Sequence, residues 1–272
     1  MMRWVRAAVV ALALSGGAAA APPSHIVSLK LCTDGLLLDL VPRARIASVS
    51  YLSRTPDNAY LWPQARGLAV NRNTVEDVLL QKPDLVLADD YTSPVMLSFL
   101  ARAKVRLVQV PDAENFAQIR TALRIVARAV GEVSRGEALI AAMDVKLRAL
   151  AAMPHRLIHV AGWGAGGYVP GRGTLFDAIL TAAGGTNIAE RDTSLDTEQL
   201  LRMRPDLLVY GDDRYSGHTL RDDQSYHPLI MKLYAHRRVS YPADWVGCGV
   251  PQSADAAVAL HAAMLAAMGG KP

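Results

Sequence analysis

From residue 25 onward, short and nearly continuous apolar runs alternate with segments whose apolar residues recur at helical spacing. The runs at 25–29, 45–49, 84–88 and 105–110 have the length and β-branched content of buried strands. Between them, residues 35–40 predict a helix with Thr33 or Asp34 as its N-cap. A second helix starts at Asn73 or Thr74 and stops before Pro83. The stretch 114–153 contains no proline, and Ile119, Leu123, Val126, Val130, Ile140, Met143, Leu147 and Leu150 fall at helical spacing. It predicts one long helix or two abutting ones around Gly131. The alternation then resumes. A strand at 157–160 leads through a glycine-rich loop to a helix at 174–183, which Gly184-Gly185 stops. A short helix at 198–203, strands at 206–210 and 238–241, and a last helix at 253–268 follow. This spacing of strands and helices predicts parallel α/β layers.

One segment occurs twice. Residues 76–87 align without a gap with residues 198–209, at an offset of 122. Each copy is a helix ended by proline, then Asp-Leu and a buried strand, and each runs into an acidic loop, Asp89-Asp90-Tyr91 or Asp212-Asp213-Arg214. The duplication implies two similar lobes joined by the central helical stretch.

The start of the chain has a different character. Arg3 and Arg6 precede the unbroken apolar run 7–14, and Ala18 to Ala21 follow it. A basic start, a short apolar run and an A-x-A exit describe a secretory signal peptide over 1–21. That run is too short to span a bilayer, which takes about 20 residues. The expected organisation is an N-terminal α/β lobe at 24–113, a connecting helix at 114–153 and a C-terminal α/β lobe at 154–272. Without Arg3 and Arg6 the formal charge falls from +4 to +2, and no basic cluster carries interleaved aromatics, so nucleic acid is not expected as a partner. The two cysteines, Cys32 and Cys248, lie in the exported part, where an even pair is compatible with a disulfide, a soft-metal site or free thiols.

The run 26–49, the paired Glu…Pro-Asp-Leu segments and the central helix together resemble the periplasmic binding proteins for vitamin B12 and ferric siderophores. The resemblance extends over 24–268. It implies two Rossmann-like lobes joined by a long rigid helix, with the ligand cleft between them. It also implies a monomer that passes a metal chelate to an ABC permease and its ATPase, with no resident cofactor. In that family one glutamate on each lobe docks to arginines of the permease, and the matching positions are Glu76 and Glu198. Carboxylates on either side of a cleft would fix orientation by charge-assisted bonds to Arg. Each would also simply favour the positive end of its own helix.

Ligands of open α/β lobes bind beyond the carboxyl ends of the strands. The loops selected by that rule hold many of the chain's aromatic residues, and Tyr51, Tyr91, Trp163 and Trp245 are the candidates for a wide, partly apolar ligand. Arg72, Arg214 and Asp244 are the charged candidates, arginine suiting an anionic chelate. Two other patterns are weaker. Gly162-Trp163-Gly164-Ala165-Gly166-Gly167 has dinucleotide-loop spacing, but Tyr168 to Gly173 intervene where a helix should open. None of the seven histidines shows paired metal-ligand spacing. Bare-metal capture through His159, His218 and His227 would require the fold to gather them. No nucleophile elbow or triad spacing is present, so a binding module is expected rather than an enzyme on the same scaffold.

Overall fold

The computed structural model describes residues 21–55, 61–154, 156–211, 226–241 and 247–269. Residues 1–20, with the expected signal peptide, lie outside them. The apolar runs become parallel strands covered on both faces, which is why they do not alternate. The N-terminal lobe runs β1 (Ile26–Ser28), α1 (Leu31–Leu40), β2 (Ile46–Ser50), α2 (Leu61–Ala65), β3 (Val70–Asn71), α3 (Val75–Leu80), β4 (Leu85–Asp89), α4 (Pro94–Arg102) and β5 (Leu107–Val110). Its five strands are all parallel, in the order β3-β2-β1-β4-β5. That order reverses direction between β1 and β4, so the crevice for a ligand opens beyond Ser28 and Asp89.

The stretch expected as one helix or two abutting ones is two: α5 (Phe116–Val130) and α6 (Val133–Ala151). Gly131 caps α5 at φ +77°, a left-handed conformation suited to glycine, and the chain folds back there. The pairs Arg124–Glu137 (2.7 Å) and Arg120–Asp144 (2.5 Å) mark the antiparallel packing. A Cβ on Gly136 would lie 2.6 Å from that of Ala127, so the two helices are in close contact there. Both helices bridge the lobes, and in α5 Ile119 is buried with the C-terminal core while Leu123 and Val126 are buried with the N-terminal one. In α6 Ile140 is buried with the N-terminal core, whereas Met143 and Leu150 are buried with the C-terminal one. Arg45 ties the N-terminal lobe to the hairpin turn through Glu132 (2.6 Å), and Lys146 ties α6 to Asp255 (2.6 Å).

The C-terminal lobe runs β6 (His159–Gly162), β7 (Tyr168–Val169), α7 (Leu175–Ala182), β8 (Thr186–Asn187), β9 (Thr193–Ser194), α8 (Thr197–Met203), β10 (Leu207–Gly211), α9 (Pro228–Leu233), β11 (Arg238–Tyr241) and α10 (Ser253–Ala267). Its parallel sheet has the order β11-β10-β6-β8, and β7 pairs with β9 in a small antiparallel ribbon.

The duplicated segment has the same job in both lobes. Asp84 N donates to His25 O (3.1 Å) while His25 N donates to the Asp84 carboxylate (3.0 Å). Asp206 and His159 repeat the exchange at 2.8 Å in each direction. The residue before each proline, Lys82 or Arg204, is left-handed at φ +47° or +50°. The motif thus ends a helix, reverses the chain and clamps the start of the central strand of each lobe.

Candidate functional site

α1 begins at Leu31 with Lys30 as its N-cap, not after Thr33 or Asp34 as expected. Thr33 is instead the third helical residue, and its hydroxyl accepts from Lys30 N (3.3 Å). This earlier start carries Asp34 into the helix, where it is wholly buried beneath β2. Its carboxylate accepts from the hydroxyls of Ser50 and Ser53 (2.6 Å each) and from Ser50 N. Burial pushes the Asp34 carboxyl up to about 7, although these donors favour the charged form. Beside it, the Asn71 amide donates to Ser28 O, Ser48 Oγ and Val49 O, and the hydroxyls of Ser28 and Thr33 lie 2.7 Å apart. This buried polar network fixes the turn after β2 and therefore Tyr51. Its mark in the sequence is Ser48, polar within the run 45–49 expected to be a buried strand, with Ser50 directly after that run.

The crevice beyond β1 and β4 is a depression lined by Cys32, Thr33, Asp89, Asp112, Ala113 and Gly249 among others. Cys32 and Cys248 are joined by a disulfide across its edge, with Cα atoms 5.1 Å apart. After β4, Asp89 accepts from Thr92 Oγ1 (2.9 Å) and Tyr91 N (3.1 Å), a local turn that holds the next residue outward. Tyr91 is 72% exposed, and its hydroxyl donates to Asp112 at 3.4 Å. The charge of Asp112 raises the phenol above its ordinary value, so it stays neutral. Tyr51, at the end of β2, is 45% exposed. Arg72 follows β3 and is exposed. These three residues stand just past strand ends of the N-terminal lobe.

The C-terminal lobe departs from expectation at Trp163. It is 1% exposed, buried with Val169, Leu200, Leu208, Ile230 and Tyr234. The chain turns back at Gly164–Gly167, and the β7–β9 ribbon and α8 close over the indole, so it is a core residue rather than a ligand surface. Tyr168, five residues on, is 43% exposed. The glycine-rich loop passes into a 3-10 turn and then β7, and no helix opens before Leu175, so it is not a dinucleotide loop. Trp245, Arg214 and Asp244 lie outside the described residues, as does His218. His159 begins β6, at the strand end away from the crevice. Among the described residues no group of three or more His, Cys, Asp or Glu side chains is placed to hold a metal ion. None of their helices is long and apolar enough to cross a membrane.

Glu76 on α3 and Glu198 on α8 are both exposed. Glu198 pairs with Arg202 one turn on, at 2.5 Å. That pair is largely solvated and contributes only a few tenths of a kcal/mol. It leaves the Glu198 carboxylate available.

Comparisons with known proteins agree with this architecture. The family model described as periplasmic binding protein matches residues 26–212. A cobalamin-binding protein of Halobacterium salinarum is 26% identical over 203 residues, which is 70% of this chain and 54% of that protein. The chain thus spans about half the length of the curated relatives it matches. Among solved structures, the periplasmic heme-binding protein RhuT of Roseiflexus superposes with a TM-score of 0.73 at 22% identity, over 90% of this chain and 98% of that one. The periplasmic vitamin B12 binding protein of Vibrio cholerae gives 0.71 at 17% identity, over 92% and 99%. An ABC-type Fe3+-hydroxamate transport protein of Saccharomonospora viridis gives 0.66 at 18%, over 92% and 94%. At such identities these likenesses concern the fold. The family match itself covers more than half of the sequence, and the chain belongs to the periplasmic binding protein family.

Proposed function

We propose that this chain is the solute-binding component of an ABC importer, and that it captures a metal chelate, a corrinoid or ferric siderophore, between its lobes. The supporting observation is the depression at the strand-order reversal of the N-terminal sheet, whose Asp112 accepts from the exposed Tyr91, with Tyr51 exposed just past the end of the neighbouring β2. Exposed tyrosine rings offer a wide apolar face with a polar edge, which suits a flat or globular chelate of mixed polarity. Arg72 supplies a cation for an anionic edge, and Trp245, Arg214 and Asp244 remain ligand candidates on the sequence alone. The named cargoes of the relatives, cobalamin, heme and ferric hydroxamate, are all metal chelates. The chelate is cargo, and the chain turns nothing over. Residues 1–21 export the protein to the periplasm, where it acts as a monomer. Replacing Tyr91 or Tyr51 with alanine is expected to raise the dissociation constant for the bound chelate about 3- to 10-fold, the loss of one aromatic contact. Fluorescence titration checks this, and unchanged affinity in both variants would remove them from the site.

Glu76 and Glu198 are assigned to permease docking. They occupy equivalent positions in the duplicated segment, one on each lobe, and both are exposed. Cells carrying Glu76→Ala with Glu198→Ala are expected to lose chelate uptake while the purified variant binds its cargo normally. Uptake at the parental rate would show that the two glutamates serve only their own helices.

A further inference from the structure

β11 belongs to the C-terminal sheet, and α10 packs in the C-terminal core. Between them, however, Cys248 and Val250 are buried in the N-terminal core with Leu36 and Leu37. Residues 247–252 are therefore a strap that leaves the C-terminal lobe, lies on the N-terminal lobe and returns.

The strap is held along one side of α1. Cys248 is bonded to Cys32 at the start of that helix. Val250 packs beside Gly35, where an added Cβ would meet Val250 Cγ1 at 3.2 Å. The Gln252 amide donates to Asp39 at 2.9 Å near the helix end. Positions 32, 35 and 39 share a helix face, so the three fixings are collinear. Gly249 is wedged against the link from β5 to α5, where a Cβ would come within 2.4 Å of Ala113 O. The same glycine and Cys32 line the depression.

Of the three fixings only the disulfide is covalent. The other two are the burial of Val250 in the N-terminal core and one hydrogen bond, neither of which holds Cys248 itself. Glycines stand on both sides of Cys248, whereas Val250 is turned into α10 by Ser253, whose N donates to Val250 O (2.9 Å) and whose hydroxyl accepts from Val250 N (3.3 Å), so the slack released on cleavage lies at 247–249. Among the described residues the other firm link between lobes is the α5–α6 hairpin. We propose that the Cys32–Cys248 disulfide is a lock on this strap, which holds the lobes at one aperture and keeps the floor of the cleft in its binding shape. Cleaving it frees the C-terminal lobe to swing on the α5–α6 hairpin and weakens capture of the cargo. The effect on capture rests on the function proposed above; the effect on the strap does not.

The test is hydrogen exchange by mass spectrometry on the ligand-free protein in three forms: oxidised, treated with a dithiol reductant, and Cys32→Ala with Cys248→Ala. The dithiol becomes a cyclic disulfide as the protein gains two thiols, so no other reagent is needed. The expected result is exchange about tenfold faster at 247–252 and at 111–115 in both cleaved forms, with β1, β4 and β10 unchanged. Should the double variant fold poorly, the reduced protein carries the comparison. Unchanged exchange in the strap of the reduced protein would overturn the lock. Cyanocobalamin affinity is read in parallel, with about a tenfold loss expected on reduction. Faster exchange with undiminished cyanocobalamin binding would also overturn it. Absence of cyanocobalamin binding in every form removes the corrinoid from the cargo assignment and leaves the siderophore, and the exchange result then decides the lock alone.

Discussion

Trp163→Ala is expected to lower the unfolding free energy by about 3–5 kcal/mol, the range for truncating a buried aromatic side chain. The indole is 1% exposed and sits among Val169, Leu200, Leu208, Ile230 and Tyr234. Among the described residues its Nε1 has no hydrogen-bond partner, so the loss is one of packing and cavity formation. The cavity is walled by strands and by the capped helix α8, which resist collapse. Urea denaturation followed by far-UV circular dichroism measures the change. A variant as stable as the parent but weaker in ligand binding would put the indole on the cleft surface instead.

A second large effect concerns pH. Asp34 is held at about 7 in the folded protein against 3.8 in the unfolded chain, because burial disfavours its charge. A group raised on folding contributes stability that is fully present below its unfolded value and is lost as pH rises through its folded value. The window is therefore about pH 4 to 7, and the loss across it is about 4 kcal/mol at the usual conversion of pKa shift to free energy. Asp34→Asn keeps an acceptor for Ser50 N and removes the titration. The stability of the variant relative to the parent is expected to rise by about that amount between pH 4 and pH 8. Parallel stability curves for the two proteins across this range would mean that Asp34 does not titrate there. The turn that Asp34 holds carries Tyr51, so the same protonation reaches the cleft through Ser50 and Ser53.

The layered α/β architecture was legible because parallel strands buried on both faces leave unbroken apolar runs, and because the Pro-Asp segment recurs at 84 and 206. The reciprocal bonds from those aspartates to His25 and His159 give the repeat its physical reason. Helix ends were less legible. Ser93-Pro94 is an N-cap followed by proline in the first turn, a pattern that was present but passed over, and α4 begins there. At α1 the cap-forming types Thr33 and Asp34 stand inside the helix, whereas Lys30 opens it and Thr33 reaches back to it. Trp163 was misplaced for a different reason. Position after a strand end predicts the cleft, but burial depends on β7, β9 and α8, which arrive from residues 168–203 and leave no mark near the tryptophan. The disulfide was one of three open readings for Cys32 and Cys248. It is decided by the return of 247–252 to the N-terminal lobe, a long-range contact that local patterns do not encode.

The central claim is capture of a metal chelate by a two-lobed binding protein. Calorimetric titration of the protein lacking residues 1–21 tests it most directly, with cyanocobalamin, hemin, ferric hydroxamate and ferric catecholate siderophores, and free iron and zinc as separate titrants. The account predicts saturable 1:1 binding of at least one chelate and no comparable binding of the bare ions. Binding of a bare ion alone, or of no chelate in the panel, would contradict it.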